Sequence, residues 1–159
     1  MGLPVRGELT SLRPATGADV ERLAAWHADP EVARFWDDET FTVEELRDRL
    51  ERAEVDAWIV EERGEPVGYL QVHWEVPTEG GLDMFLVPSA RGRGLGPDAA
   101  RAMTRRLLDE RRWERVTADP YTWNEPALRA WRNAGFVTVS HHPPDDEHTA
   151  AWVLMEYRP

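Results

Sequence analysis

The chain has 159 residues, a length that suits one domain with a real hydrophobic core, and we expect a single domain over residues 1–159. Thirty acidic against nineteen basic residues give a formal net charge of −11, which argues against a nucleic-acid partner and favours a cationic one. The absence of cysteine excludes a disulfide framework, a thiolate metal site and a cysteine nucleophile.

The predicted elements follow one another without a low-complexity linker. In chain order, the patterning predicts a strand, two helices, three antiparallel strands, a helix, a strand, a helix and two final strands. Their approximate ranges are 5–13, 16–29, 42–53, 57–61, 66–73, 81–87, 98–111, 114–118, 125–134, 136–140 and 150–157. This order describes a mixed α/β domain whose glycine-rich turn follows its central strand.

Local signals mark where several of these elements begin and end. Thr16–Asp19 and Thr42–Glu45 have the form of capping boxes, which predict the starts of the first two helices. Gly64 lies in a short turn between two apolar runs, which indicates a hairpin. Gly135 closes the last helix.

No stretch of the sequence approaches the roughly 18 apolar residues of a membrane span, and the N-terminus carries no apolar signal segment. We therefore expect a cytoplasmic protein without a membrane partner. The oligomeric state is open between monomer and homodimer.

The segment Arg91–Pro97 contains three glycines and lies between the apolar strand 82–87 and the helix that we expect to begin at Asp98. Glycine lets a backbone approach a ligand closely, and a helix N-terminus presents unpaired N–H groups to an anion. The residues predicted to offer these groups are Gly92, Arg93, Gly94, Leu95 and Gly96. The spacing excludes a Walker loop and does not match a dinucleotide fingerprint. We predict a phosphate cradle, with a helix-capping surface loop as the alternative.

Side chains of the same segment add two features. Arg91 and Arg93 can direct positive charge toward phosphates, although paired arginines on a loop are as often merely solvated. Pro97 has no N–H to donate, and it suits the first position of the helix, where its fixed φ helps the helix to begin.

Two motifs carry a resemblance to a known family. Arg91-x-x-Gly94-x-Gly96 after an apolar strand, with Asn124-x-x-Ala127-x-x-x-Trp131-x-x-x-Gly135-Phe136 downstream, resembles the GCN5-related N-acetyltransferase (GNAT) superfamily. The resemblance covers nearly the whole chain and implies an α/β fold with a mixed, mostly antiparallel central sheet flanked by helices, in which the central strands splay apart. It also implies acetyl-coenzyme A as co-substrate.

Three further segments resemble the aminoglycoside 6'-N-acetyltransferases within that superfamily. They are Phe35-Trp36 followed by acids, the stretch from Gly64 to Gln71, and Gly81–Leu86 together with Asp119-Pro120. Siderophore lysine acyltransferases share much of this frame and are a competing interpretation.

For the coenzyme, the resemblance implies that pantetheine bonds to main-chain groups where the central strands part, and that this backbone steadies the thioester oxyanion. The main-chain groups concerned are those of Phe85, Leu86 and Val87. Asn124 is expected to reach the pantetheine arm, to cap the helix that follows, or to do both. Trp131, which is also expected to contact the coenzyme, stands where many relatives have the tyrosine that protonates the departing thiolate. An indole N–H is no useful acid at neutral pH, and Tyr121 does not align with that tyrosine. Water is therefore expected to supply the proton.

The acceptor amine arrives as an ammonium and must lose a proton before it attacks, so a carboxylate is needed near the thioester. Asp83, in the strand 82–87, is the predicted base, and the alternative is a strand-end acid in water. The resemblance implies that Asp119 holds substrate amines, whereas its local role would be to start the turn into the next proline. Trp36, Asp37 and Asp38 are predicted to form an acceptor wall for a polycation, with a solvated loop as the alternative.

The sequence thus predicts an N-acetyltransferase that moves an acetyl group from acetyl-coenzyme A to a primary amine of a small cationic acceptor, by direct attack in a ternary complex. An aminoglycoside 6'-amine is the favoured acceptor, which would connect the chain to antibiotic resistance. One alternative is a siderophore-lysine or protein amine acyltransferase, and another is a non-enzymatic acyl-coenzyme A-binding module. The stretch His141–His148 is interpreted as a loop that leaves acceptor contact open, and no metal is predicted.

Overall fold

The computed structural model describes residues 3–159, and Met1 and Gly2, which the predicted domain includes, lie outside the described residues. Within that range the chain forms eight strands and five α-helices. Their bounds are β1 Val5–Arg6, β2 Ser11–Pro14, α1 Val20–Ala28, α2 Pro30–Ala33, α3 Val43–Glu51, β3 Val55–Glu62, β4 Glu65–Val76, β5 Glu79–Leu86, α4 Leu95–Asp109, β6 Arg115–Ala118, α5 Glu125–Ala134, β7 Phe136–His142 and β8 Trp152–Tyr157.

All eight strands form one sheet in the order β1-β2-β3-β4-β5-β6-β8-β7. Every neighbouring pair is antiparallel except β5 and β6, which run parallel. This parallel pair is joined only where Glu79–Gly81 meets Arg115–Thr117, and beyond that point the two strands part. The predicted fold, with its splayed central strands, is confirmed.

Each face of the sheet carries its own hydrophobic core. The core under α4 and α5 includes Leu70, Leu82, Met103, Leu107 and Leu128. The core under α1, α2 and α3 includes Leu23, Val32, Leu46, Ile59 and Tyr69. Because successive residues of a strand point to opposite faces, Tyr69 and Leu70 of β4 belong to different cores. The alternation ends at the end of β5, where Val87 leaves the face of Phe85 and packs with the first core.

The capping and hairpin signals are confirmed. Asp19 accepts a hydrogen bond from the Thr16 N–H at 2.8 Å, and the Glu45 N–H donates to Thr42 Oγ1 at 3.1 Å. The turn between β3 and β4 places Arg63 at φ 52° and Gly64 at φ 81°, the left-handed conformation that tight hairpins favour.

The first strand was predicted as one element over 5–13, and this prediction is wrong. The structure has two short strands, β1 and β2, joined by a tight turn in which the Gly7 N–H donates to the Thr10 carbonyl at 2.8 Å. The buried carboxylate of Asp98, at the start of α4, accepts the N–H groups of Glu8, Leu9 and Thr10 at 2.9, 3.0 and 2.8 Å. This distant acceptor stabilises the turn, and it breaks the strand.

Helix α4 begins at Leu95, three residues before the predicted start. Gly94 precedes it at φ 78°, so this glycine is the residue that turns the chain into the helix. Pro97 is therefore the third helical residue and not the first. It is still tolerated, because the first turn of a helix has no intrahelical use for its N–H groups.

Candidate active site

The glycine-rich segment forms an open backbone cradle at the N-terminus of α4. Gly92 and Gly94 lie at φ 81° and φ 78°, a region in which a side chain is strained, and a Cβ on Gly92 would meet no atom within 4 Å. The N–H groups of Leu95 and Gly96 are in the first turn of α4, where a helix has no internal acceptor for them. These groups and the helix dipole suit an anion such as a pyrophosphate.

A cavity of about 260 Å³ lies against this cradle, and we call it the coenzyme cavity after the ligand that the sequence predicts. Nine of the eleven residues predicted to bind the coenzyme line it. They are Phe85, Leu86, Arg91, Gly92, Gly94, Leu95, Gly96, Asn124 and Trp131. The cavity also lies beside the part of β5 that has left β6, where main-chain groups are free of that neighbour. The backbone N–H groups and the apolar walls fit a phosphate-bearing ligand with a thioester arm such as acetyl-coenzyme A.

Val87 and Arg93, the two other residues predicted to bind the coenzyme, do not line this cavity. The Val87 N–H already donates to the Val67 carbonyl at 2.9 Å, since Val87 ends the pairing of β5 with β4. The Arg93 guanidinium pairs with Glu62 at 2.7 Å and so points away from the cradle. The sequence does not reveal this ion pair, because its partners are 31 residues apart.

Arg91 is anchored by the main chain as well as placed at the cavity. Its Nε donates to the Leu86 carbonyl at 3.1 Å and its Nη2 to the Glu31 carbonyl at 2.8 Å. Burial lowers the pKa of this guanidinium. Arg91 thereby ties the end of β5 to the start of α2.

Asn124 and Trp131 belong to α5, Asn124 as its N-cap and Trp131 within it. The Oδ1 of Asn124 accepts the Ala127 N–H at 3.2 Å and caps α5, which uses only the oxygen of the amide. Trp131 is buried and packs edge-on against Phe136, with 5.0 Å between ring centroids. Both side chains line the coenzyme cavity and a second cavity beside it.

This second cavity has a volume of about 420 Å³ and is the larger of the two. The residues common to both linings are Phe35, Met84, Asn124, Ala127 and Trp131. We call it the acceptor cavity. Acidic side chains from separate parts of the chain enter it, namely Asp37, Asp83, Asp119 and Glu147.

Asp83 lies in the acceptor cavity on the face of β5 opposite to Leu82. Its cross-strand partner Gln71 donates to Asp83 Oδ2 at 3.0 Å, and His73 Nε2 lies 3.3 Å from the same oxygen. Burial raises the pKa of Asp83, but the hydrogen bonds from His73 and Gln71 and the charge of His73 outweigh it, so the pKa is lowered. Asp83 is therefore ionised at neutral pH.

Asp119 follows β6 and lies across the opening from Asp83. Burial raises its pKa, and the negative charge of Asp83 raises it further, in spite of the opposite effect of His148. His148 Nε2 lies 2.7 Å from Asp119 Oδ2. The carboxylate of Asp119, which was predicted to hold substrate amines, is therefore already paired with His148.

The aromatic and acidic wall is present only in part. Trp36 lines the acceptor cavity and packs edge-on against Phe85, and Asp37 lines it at φ 55°. The Tyr121 hydroxyl donates to Asp37 Oδ1 and so fixes that carboxylate. Asp38 is exposed and lines neither cavity, because its turn directs it away. The structure therefore does not bring Asp38 to the site.

The sequence analysis did not identify Gln71 and His73 as site residues. It left open whether the loop that contains His148 contacts the acceptor. A partial signal for the first two existed, since two-residue alternation puts Gln71 and His73 on one face of the predicted strand 66–73, which pairs with the strand that carries Asp83. No such signal existed for His148, which reaches Asp119 from a loop 29 residues away.

Two further observations concern metal binding and membrane-spanning helices. Across residues 3–159, no group of three or more histidine or acidic side chains is arranged to hold a metal ion. Every helix in the same range is too short or too polar to traverse a bilayer.

The sheet parts beside a glycine-rich helix start, and two cavities with five lining residues in common lie there, an arrangement that suits the transfer of a group between two bound molecules. The family model for the acetyltransferase (GNAT) domain matches residues 10–137. The chain therefore belongs to the GNAT family, and it is an acetyl-coenzyme A-dependent N-acetyltransferase.

Several relatives are named for aminoglycosides. The aminoglycoside N(6')-acetyltransferase type 1 of Klebsiella pneumoniae is 27% identical over 146 residues, which cover 79% of this chain and 73% of that protein. The structure of AAC(6')-Ib with ribostamycin and coenzyme A is 25% identical, with a TM-score of 0.82 over 94% of this chain and 93% of that one. The structure of the same protein with coenzyme A and kanamycin gives a TM-score of 0.80 at 25% identity, over 92% and 93% of the two chains.

Proposed function

We propose that this chain acetylates a primary amine of a small cationic acceptor, and that the acceptor is an aminoglycoside modified at its 6'-amine. The observation that carries the proposal is the junction of the two cavities at the parting of β5 and β6. One cavity has backbone donors for phosphates, and the other has four carboxylates for a polycation. Asp83 lies in the acceptor cavity, on the strand that runs between them.

Acetyl-coenzyme A supplies the acetyl thioester when it is bound. The cradle formed by Gly92, Gly94, Leu95 and Gly96 would hold its pyrophosphate. Main-chain groups of Phe85 and Leu86 would hold the pantetheine arm and stabilise negative charge on the carbonyl oxygen. Asn124 and Trp131 line the passage to the acceptor cavity.

Asp83 is the base in this proposal. Its lowered pKa keeps the carboxylate ionised, so it would take a proton from the acceptor ammonium before the nitrogen attacks the thioester carbon. The bond from that carbon to sulfur then breaks, and the departing thiolate of coenzyme A would take its proton from water. Asp37 and Asp119 would hold other ammonium groups of the acceptor. We further propose that residues 1–159 act as a single domain, since one sheet supplies residues to both cavities.

Release of free thiol from acetyl-coenzyme A tests the acceptor class. We expect turnover with kanamycin and other aminoglycosides, and little with N-α-acetyl-lysine or an amine-terminated peptide. Turnover restricted to the lysine derivative or the peptide would reject the aminoglycoside and keep the enzyme class. Tight coenzyme binding with no turnover on any amine would instead favour a binding module.

The variant Asp83→Asn tests the base. We expect kcat to fall about a hundredfold or more, with the Kd for coenzyme A unchanged, because the amide cannot accept the ammonium proton. Asp48→Asn removes the same charge from the exposed surface of α3 and is the matched control. A rate for Asp83→Asn equal to that of the control would remove Asp83 from the mechanism.

A further inference from the structure

The loop between β7 and β8 inserts a histidine into the acceptor cavity. The side chain of His148 is only 11% exposed, and its two ring nitrogens face two different carboxylates. Nε2 lies 2.7 Å from Asp119 Oδ2, and Nδ1 lies 2.8 Å from Asp145 Oδ1. An ionised carboxylate only accepts hydrogen bonds, so an imidazole between two of them carries a proton on each nitrogen. With both carboxylates ionised, His148 is therefore a cation.

The ring is held in this place by contacts that do not depend on its charge. It stacks on Trp152, with 4.1 Å between ring centroids and 13° between planes. The Trp152 Nε1 donates to Asp145 Oδ2 at 3.1 Å, and the His148 N–H donates to Asp145 Oδ1 at 2.8 Å. The loop therefore holds the imidazole against Asp119 whether or not the ring is charged.

Asp119 is one of the carboxylates that the proposed function assigns to acceptor ammonium groups, and its partner in the structure is His148. We propose that His148 is a specificity-determining residue whose imidazolium occupies Asp119, and that a cationic acceptor binds there by displacing it. This inference rests on the proposed acceptor class. It implies that loss of the His148 proton strengthens the binding of acceptors with several amines.

The other titratable and charged groups around His148 come from every side of the cavity. They are Asp145 and Glu147 on its own loop, Asp119 and Tyr121 after β6, and Asp37, Arg52, His73 and Asp83 across the cavity. Burial lowers the pKa of His148, but Asp119 and Asp145 outweigh it and the pKa is raised. Above that pKa a neutral ring donates through one nitrogen only, so one carboxylate becomes available. The acceptor KM should therefore fall as the pH rises through the His148 pKa.

His73 also has a raised pKa, because its hydrogen bond with Asp83 outweighs burial, so a pH profile alone does not isolate His148. The variant His148→Gln does, since glutamine can donate to a carboxylate but carries no charge. His142→Gln is the matched control, because His142 stacks on the opposite side of Trp152 at 4.2 Å and lines neither cavity. At about pH 6 we expect His148→Gln to lower the kanamycin KM about fivefold, with kcat within twofold, the factor that one partly exposed ion pair provides. The control should keep the wild-type KM.

A direct measurement follows the ring itself in the wild-type chain saturated with coenzyme A. Histidine ring resonances report the protonation of His148, and calorimetry in buffers of different ionisation enthalpy reports proton release. On addition of kanamycin near neutral pH, we expect the His148 signals to move toward the neutral form and up to about one proton to pass to solvent.

The outcomes separate this inference from the proposed function. Turnover of kanamycin with unmoved His148 signals and no KM change in His148→Gln would overturn the inference and keep the acceptor class. A His148 response to kanamycin without turnover would keep cation exchange at Asp119 and reject the proposed reaction. Absence of both turnover and response would reject both.

Discussion

A buried histidine beneath the acceptor wall leads to a quantitative prediction about stability. His27 of α1 has no exposed surface, and neither ring nitrogen has a hydrogen-bond partner among the described residues. Aromatic rings surround it, with Phe41 at 4.6 Å, Phe85 at 5.1 Å and Trp36 at 5.5 Å between centroids. Burial in this apolar pocket, with a smaller effect from the charge of Arg49, lowers the His27 pKa from 6.5 to about 4.

The lowered pKa makes the fold lose stability in acid. Between the two pKa values the unfolded chain binds a proton at His27 and the folded chain does not, so the free energy of unfolding decreases as the pH falls. Each pH unit of difference corresponds to about 1.4 kcal/mol, and the loss from this one residue is about 3 kcal/mol by pH 4. Replacement by a residue that does not titrate should remove that loss.

Urea unfolding of His27→Leu and of the wild type, at about pH 7 and about pH 4, measures the difference. We expect the wild type to lose about 3 kcal/mol more than the variant over this interval. His141→Leu, which removes an exposed histidine from β7, is the matched control and should follow the wild type. Equal losses in His27→Leu and the wild type would refute the argument that a neutral imidazole is enforced by its apolar surroundings.

Three further predictions concern the cradle, the β1–β2 turn and the acceptor cavity. Gly94→Val should weaken coenzyme A binding measured by calorimetry, because a side chain at φ 78° costs about 1–2 kcal/mol. An unchanged Kd would contradict the proposed role of the cradle. Asp98→Ala should lower the free energy of unfolding by about 3 kcal/mol, because three backbone N–H groups and the Thr10 hydroxyl lose their acceptor. A change below about 1 kcal/mol would show that Asp98 does not stabilise the β1–β2 turn. Tyr121→Phe should raise the kanamycin KM severalfold with little change in kcat, because the variant loses the hydroxyl that orients Asp37 and accepts the Thr149 N–H. An unchanged KM would show that Asp37 does not need this hydrogen bond to bind the acceptor.

Much of the architecture follows from signals that span only a few residues. The capping boxes at Thr16 and Thr42, the cap at Asn124 and the glycine at 135 mark helix ends wherever those helices pack. The glycine cradle is equally local, since glycine at positive φ followed by a helix start needs no distant partner. Together with the family resemblance, these signals predicted the order of the elements, apart from the split first strand, and nine of the fifteen residues that line the coenzyme cavity.

Part of the acceptor cavity is formed by two neighbouring strands that the sequence predicts. The strands 66–73 and 81–87 were predicted as antiparallel neighbours, and two-residue alternation puts Gln71 and His73 on one face of the first strand. That Asp83 lies opposite Gln71 depends on the register, which the turn at 77–78 and an irregularity between His73 and Val76 set in the folded chain.

The tertiary structure alone decided the features that join distant parts of the chain. Asp98 splits the first strand across about ninety residues, Glu62 draws Arg93 from the cradle, and His148 reaches Asp119 from a loop. Periodicity and capping describe each residue against its near neighbours, whereas these contacts depend on how loops and strands meet after folding. The sequence by itself therefore determined the fold and the position of the glycine cradle and predicted a base, and only the folded chain determined which carboxylates of the acceptor cavity already have partners.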